Sequence, residues 1–173
     1  MIETVECYLI KDNSYLMLHR NKRQNDMHEG KYIGIGGHIE KGETKDEACI
    51  REIKEETGLD VHSMKYCGQI LFVNDDYEEM MYIYKSNDFS GNLIECDEGT
   101  LHWVSIDKVL DLNLWEGDKL FHPKLKSGEL INMKLIYKNN VFVGCEELWH
   151  INLLLKICRI KHMKMARKKA QLF

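Results

Sequence analysis

The chain predicts an α/β fold in which a few helices pack against a mixed sheet. Three observations carry this reading. Short apolar or aromatic segments recur between turn residues and read as strands, one helix between Thr44 and Gly58 is marked at both ends, and two weaker helical stretches follow it. No internal repeat and no low-complexity linker divides the 173 residues, so one domain, residues 1–146, and a basic helical tail, residues 147–173, are expected.

In chain order, Thr4–Ile10 and Tyr15–Leu18 read as strands across an Asp12-Asn13 turn. Asn21–Lys31 is a polar loop, and Tyr32–Gly37 is a glycine-rich strand or turn. Met64–Val73 and Met80–Tyr84 are strands separated by the acidic turn Asn74–Glu79. Leu101–Val104 is a short strand and Ile106–Leu112 a helical turn. Asp118–Leu125 is a short helix broken near Pro123. Leu130–Tyr137 and Val141–Gly144 flank Lys138-Asn139-Asn140, a hairpin signal.

The helix between these strands carries the chemistry. Thr44 followed by Glu47 is a capping box, which starts the helix, and Gly58 sits where a C-terminal glycine ends it. Asp46, Cys49, Ile50, Ile53 and Thr57 form its apolar stripe, while Glu52, Glu55 and Glu56 share the other face at spacings of three and four. Like charges on one face repel unless a cation joins them, and hard divalent ions such as Mg²⁺ prefer carboxylate oxygens. The upstream glycines Gly34, Gly36 and Gly37 permit close approach of backbone to a ligand. Three glutamates alone fit a solvated acidic face better than a metal site.

The wider frame decides between these. Gly37, five residues, Glu43, seven residues and Arg51-Glu52-Ile53-Lys54-Glu55-Glu56-Thr57-Gly58-Leu59 match the Nudix box, GX5EX7REUXEEXGU, at every defined position. The chain thus resembles the Nudix hydrolases, which cleave nucleoside diphosphates linked to another group. Stretches around Gly68–Phe72, Glu95–Glu98 before Trp103, and Trp115–Asp118 are similar to the MutT-like branch of (oxidised) purine nucleoside triphosphate diphosphatases. The resemblance covers about residues 4–145 and implies an α/β/α sandwich around the mixed sheet.

It also implies roles. Glu52, Glu55 and Glu56 would hold Mg²⁺, with Mn²⁺ as a substitute, joined by the backbone carbonyl of Gly37 and the loop acid Glu98. Glu56 is assigned the general base, with Glu52 as rival, and Arg51 would pair with Glu43 to orient the glutamates. Arg20 would face phosphates or ribose and Gly36 would approach the substrate. Phe72, Met81 and Trp115 would line the base pocket, and Asp118 would read a purine edge. Two positions depart from the branch: Ile33 stands where an asparagine is expected, and Gly117 where an acid is expected.

Composition bounds the remainder. With 44% apolar and 30% charged residues and no long apolar run, neither a signal peptide nor a membrane span is expected. Six scattered cysteines lack zinc spacing, which suggests a cytoplasmic protein with reduced thiols. Seven Lys/Arg and no acids follow Glu147, so the body is strongly acidic and makes no strong case for nucleic acid. Through Trp149, Leu153, Ile157 and Ile160 the tail is expected to form a helix docked on its own domain or on a second copy, as monomer or homodimer. A basic helix meeting nucleic acid or anionic lipid is the alternative.

The expected activity is Mg²⁺-dependent hydrolysis of a nucleoside triphosphate, such as 8-oxo-dGTP, to monophosphate and pyrophosphate. The rivals are a Nudix hydrolase of ADP-ribose, nucleotide sugars or dinucleoside polyphosphates, and a non-catalytic nucleotide-sensing module.

Overall fold

The computed structural model describes residues 1–24 and 26–148. The expected tail helix, Trp149 onward, lies outside the described residues. Two hairpins form where asparagine-rich turns were expected. Strand β1 (Ile2–Lys11) turns into β2 (Ser14–His19) through Asp12 and Asn13, and β8 (Ile131–Lys138) turns into β9 (Val141–Glu147) through Asn139 and Asn140. All four turn residues have φ between 48° and 62°, the left-handed pair that a two-residue hairpin needs.

Between the hairpins lie β3 (Tyr32–Ile33), β4 (Ile35–His38), helix α1 (Lys45–Thr57), β5 (Asp60–Asn74), β6 (Tyr77–Ser90) and β7 (Thr100–Ser105). A 3-10 turn (Ile106–Asp111) and helix α2 (Asp118–Ser127) lead into β8. The main sheet runs β4-β1-β6-β5-β8-β9, with β1/β6 and β5/β8 parallel and the other pairs antiparallel. β2 pairs with β1 only near the hairpin, then joins β3 and β7 in a smaller antiparallel sheet.

Alternation along β1 assigns the two faces of the sheet. Val5, Cys7 and Leu9 pack with Ala48, Cys49 and Ile53 of α1, while Tyr8 packs with Phe121 and Leu125 of α2 on the other side. This is the expected α/β/α sandwich.

Three details differ from the sequence expectation. Ile50 is 46% exposed and does not belong to the buried stripe, which instead takes in Ala48 and Glu56. The β5–β6 turn shrinks to Asp75-Asp76, so Glu79 lies within a strand. Pro123 does not break α2, which continues to Ser127 and ends at left-handed Gly128. Proline removes one backbone donor there, and full burial of Phe121 and Leu125 on either side holds the helix together.

Candidate active site

Helix α1 begins with the expected reciprocal cap. Thr44 Oγ1 accepts from the Glu47 N–H at 3.2 Å, and Glu47 Oε2 accepts from the Thr44 N–H at 2.8 Å. The buried stripe then fixes the rotation of the helix, and the glutamates fall at graded depths. Glu56 is 7% exposed, the Glu52 side chain 14% and the Glu55 side chain 61%.

Glu56 Oε2 accepts from the Gly36 N–H at 3.0 Å. Burial pushes the Glu56 carboxyl up to about 8, opposed by that hydrogen bond and assisted by the charge of Glu52. Glu52 lies against Gly37, where a Cβ would come within 2.5 Å of Oε1. Only glycine leaves that carboxylate in place.

Arg51 ties these pieces together. It forks onto Glu43, reaches Glu52 Oε1 at 2.8 Å and Glu55 Oε2 at 3.3 Å, and donates to the His38 carbonyl at 2.9 Å. The Arg51 hydrogen bonds hold Glu43 down to about 2. Arg51 and Glu43 are therefore brought together in the geometry expected of an orienting pair.

Arg20 and Glu98, expected to serve phosphate and metal separately, are joined to each other. The Arg20 guanidinium binds Glu98 and Asp26, and Arg23 Nη2 sits 2.7 Å from Glu98 Oε1. Either expected role requires these partners to exchange.

Arg20, Arg51, Glu52, Glu55, Glu56 and Glu98 line a single cleft of ≈840 Å³ with the expected base-pocket residues, while Glu43 stands outside it behind Arg51. On the α2 side of the cleft, Phe72 and Trp115 meet edge to face with centroids 5.8 Å apart, and Met81 and Asp118 complete the wall. The Trp115 indole N–H contacts His28 Nδ1 at 3.1 Å. Ile33 also lines the cleft. At Gly117 a Cβ would come within 2.7 Å of both Leu135 Cδ1 and the Tyr137 hydroxyl, so no acid fits there.

Sequence reasoning missed three polar groups in this cleft: Glu6, Glu79 and His28. Glu79 accepts from Thr4 Oγ1 at 2.6 Å and Tyr77 Oη at 2.8 Å. Glu6 had a legible signal, because it is a charge flanked by Val5 and Cys7 inside the expected strand Thr4–Ile10.

The oxygen-only donor set of Glu52, Glu56 and the Gly37 backbone suits a hard divalent cation such as Mg²⁺. Among the described residues no three acidic, His or Cys side chains converge as a ready-made cage. Arg51 stands between Glu52 and Glu55. A partial set fits Mg²⁺, which keeps several waters and takes oxygens from substrate phosphates.

The site sits within a recognisable family pattern. The NUDIX domain model matches residues 3–125. An oxidized purine nucleoside triphosphate hydrolase of Danio rerio is 35% identical over 96 residues, covering 54% of this chain and 62% of that protein. The Nudix hydrolase YvcI of Bacillus subtilis is 30% identical over 118 residues, 65% of this chain and 71% of that protein. The match to the Danio rerio protein thus spans under two thirds of its length. In structure the chain is similar to the MutT protein of Bacillus halodurans, with a TM-score of 0.76, 25% identity, and coverage of 84% of this chain and 97% of that one. With a family model over most of its length and Gly37, Arg51, Glu52, Glu55 and Glu56 of the box gathered on one cleft, the chain belongs to the Nudix hydrolase family.

Proposed function

We propose that this protein is a Mg²⁺-dependent pyrophosphohydrolase of a purine nucleoside triphosphate, with an oxidised purine such as 8-oxo-dGTP as first choice. The observation that carries the reading is the single cleft that joins Glu52, Glu55 and Glu56 of α1 to Trp115, Phe72 and Asp118 on the α2 side of the sheet. That separation suits a triphosphate at α1 with its base between the aromatic walls.

A divalent ion, when bound, would neutralise phosphate charge and lower the pKa of an attacking water. Glu52 and Glu56, with the Gly37 carbonyl, would hold it, and Glu55 and Glu98 would join from the rim. Water attacks a phosphorus of the α–β anhydride, the bond from that phosphorus to the bridging oxygen breaks, and monophosphate and pyrophosphate result. Glu56 takes the water proton, with Glu52 as the alternative base. Arg51 and Glu43 orient the glutamates. Arg20, once released from Glu98, is the phosphate contact, and Gly36 leaves room for the chain of phosphates.

Ile33 and Gly117 favour one further reading: the same chemistry on another nucleoside diphosphate-linked compound, whose base is read differently. The five described cysteines are free thiols, which supports a cytoplasmic enzyme. No helix among the described residues is long and apolar enough to cross a membrane.

Product analysis tests this reading. The protein meets (d)NTPs, 8-oxo-dGTP, ADP-ribose, nucleotide sugars and Ap4A with Mg²⁺, beside Glu56→Gln. Monophosphate plus pyrophosphate from one triphosphate, lost in the variant, is expected. Turnover of a diphosphate-linked compound alone selects the second reading, and binding without turnover rejects hydrolysis.

A further inference from the structure

Glu6 stands in the middle of β1, where neighbouring residues on the strand are buried apolar side chains. Its carboxyl is split in function. Oε1 accepts from Tyr8 Oη at 2.7 Å and from the Gly34 N–H at 2.7 Å, whereas Oε2 is buried and has no hydrogen-bond partner. A buried polar atom left without a partner is uncommon in a folded protein and calls for a cause. Glu6 also lines the cleft, close enough to Asp118 for the two carboxyls to feel each other's charge.

We propose that Glu6 selects the nucleobase, its free oxygen Oε2 donating a hydrogen bond to an acceptor on the edge of a purine while Asp118 contacts the neighbouring position. This deepens the nucleotide reading given above and rests on it.

Three facts support the assignment. First, two of the positions expected to read the base offer no polar group: Ile33 has no donor or acceptor in its side chain, and Gly117 is sealed by Leu135 and Tyr137. Glu6 supplies the missing polar group from a different strand. Second, the two donors Tyr8 Oη and Gly34 N–H both engage Oε1, so Oε2 is the oxygen on which a neutral acid would carry its proton. Burial raises the Glu6 carboxyl, partly opposed by those two hydrogen bonds and reinforced by Glu79, in keeping with a proton on Oε2. Third, the aromatic walls would hold a base by stacking but cannot tell one base from another. A buried group that must be hydrogen-bonded can, because a ligand lacking the partner atom leaves it unpaired.

The test compares wild type, Glu6→Gln and Glu6→Met. Each is assayed for kcat and KM on purine nucleoside triphosphates and on ribose 5-triphosphate, which has no base. The glutamine amide keeps an acceptor for Tyr8 and Gly34 and places an N–H donor where Oε2 lies, so its purine preference should stay within about threefold of wild type. Methionine keeps the length and removes both functions. Its purine preference over the base-free triphosphate should fall at least about tenfold, through KM rather than kcat.

A Glu6→Met protein with wild-type purine preference overturns the proposal. So does a Glu6→Gln protein that loses as much preference as Glu6→Met, since that denies the donor. Wild-type protein that hydrolyses no triphosphate overturns the nucleotide reading itself, and this assignment with it. An active wild type with unchanged selectivity in Glu6→Met removes only Glu6.

Discussion

Arg51 grips Glu43 with two parallel hydrogen bonds, Nε to Oε1 at 2.8 Å and Nη2 to Oε2 at 2.9 Å. The fork spans eight residues and clamps the loop after β4 onto helix α1. The same guanidinium reaches Glu52 and Glu55, so the clamp sets the position of carboxylates without itself having to touch a substrate.

Arg51→Lys should therefore reduce kcat by about 10- to 100-fold while KM moves little, because a lysine ammonium cannot fork. Steady-state kinetics checks this. A loss confined to KM would make Arg51 a substrate contact instead.

Gly37→Ala should leave the fold intact and impair turnover. The added Cβ meets only the end of the Glu52 side chain, at 2.5 Å from Oε1, which can swing away. A displacement on the order of 1 Å at a reacting group can cost about 100-fold in rate. Circular dichroism should match wild type while kcat falls by that order.

Glu56 makes metal binding and stability pH-dependent. Its folded value of about 8 lies above the ordinary 4.5, so the folded chain holds a proton that the unfolded chain releases. This contribution to stability is present below 4.5 and lost as pH rises through 8. Glu56→Gln escapes that loss. Without metal its melting temperature should exceed that of wild type increasingly towards pH 9, by about 2–4 °C for each kcal/mol. Mn²⁺ affinity of wild type should strengthen as pH rises to 8, by up to about tenfold per pH unit, as titration calorimetry would report.

His122 works in the opposite direction. Its two ring nitrogens are buried without partners among Tyr8, Tyr15 and Phe121. Burial lowers it from 6.5 to about 4, so only the unfolded chain is protonated in between. Stability from this group is present above pH 6.5 and lost as pH falls through 4, a change on the order of 3 kcal/mol. Urea unfolding at pH 7 and pH 4.5 should show a smaller acid loss in His122→Leu.

Gly117→Asp should not install the acid expected at that position. Its backbone, φ −66° and ψ −27°, accepts any residue, but Leu135 and the Tyr137 hydroxyl occupy the space. Overpacking should destabilise the fold by about 1–3 kcal/mol. A melting curve measures this, and an equally stable variant would show that Tyr137 yields.

The α1 caps, both asparagine turns and the box spacing were legible because each depends on neighbours a few residues away. Thr44 and Glu47 cap one another, and Asp12-Asn13 and Asn139-Asn140 adopt left-handed angles through their own side-chain chemistry. The spacing from Gly37 to Leu59 is likewise local, and it named the family before any contact was known.

Depth and partnership were decided elsewhere. Ile50 looked like core and is exposed, whereas Glu56, expected to share one face with Glu52 and Glu55, is buried deeper than either, because rotation of α1 is set by packing on β1 and β4. Glu79 entered the cleft when parallel pairing of β1 with β6 drew its strand beyond the expected turn. Arg20 met Glu98 across 78 residues of sequence. The chain by itself determined its helix, its turns and its glutamate frame. Tertiary structure decided which carboxyls are buried, and therefore pushed above the ordinary carboxylate range, since desolvation depends on what long-range strand pairing brings around each one.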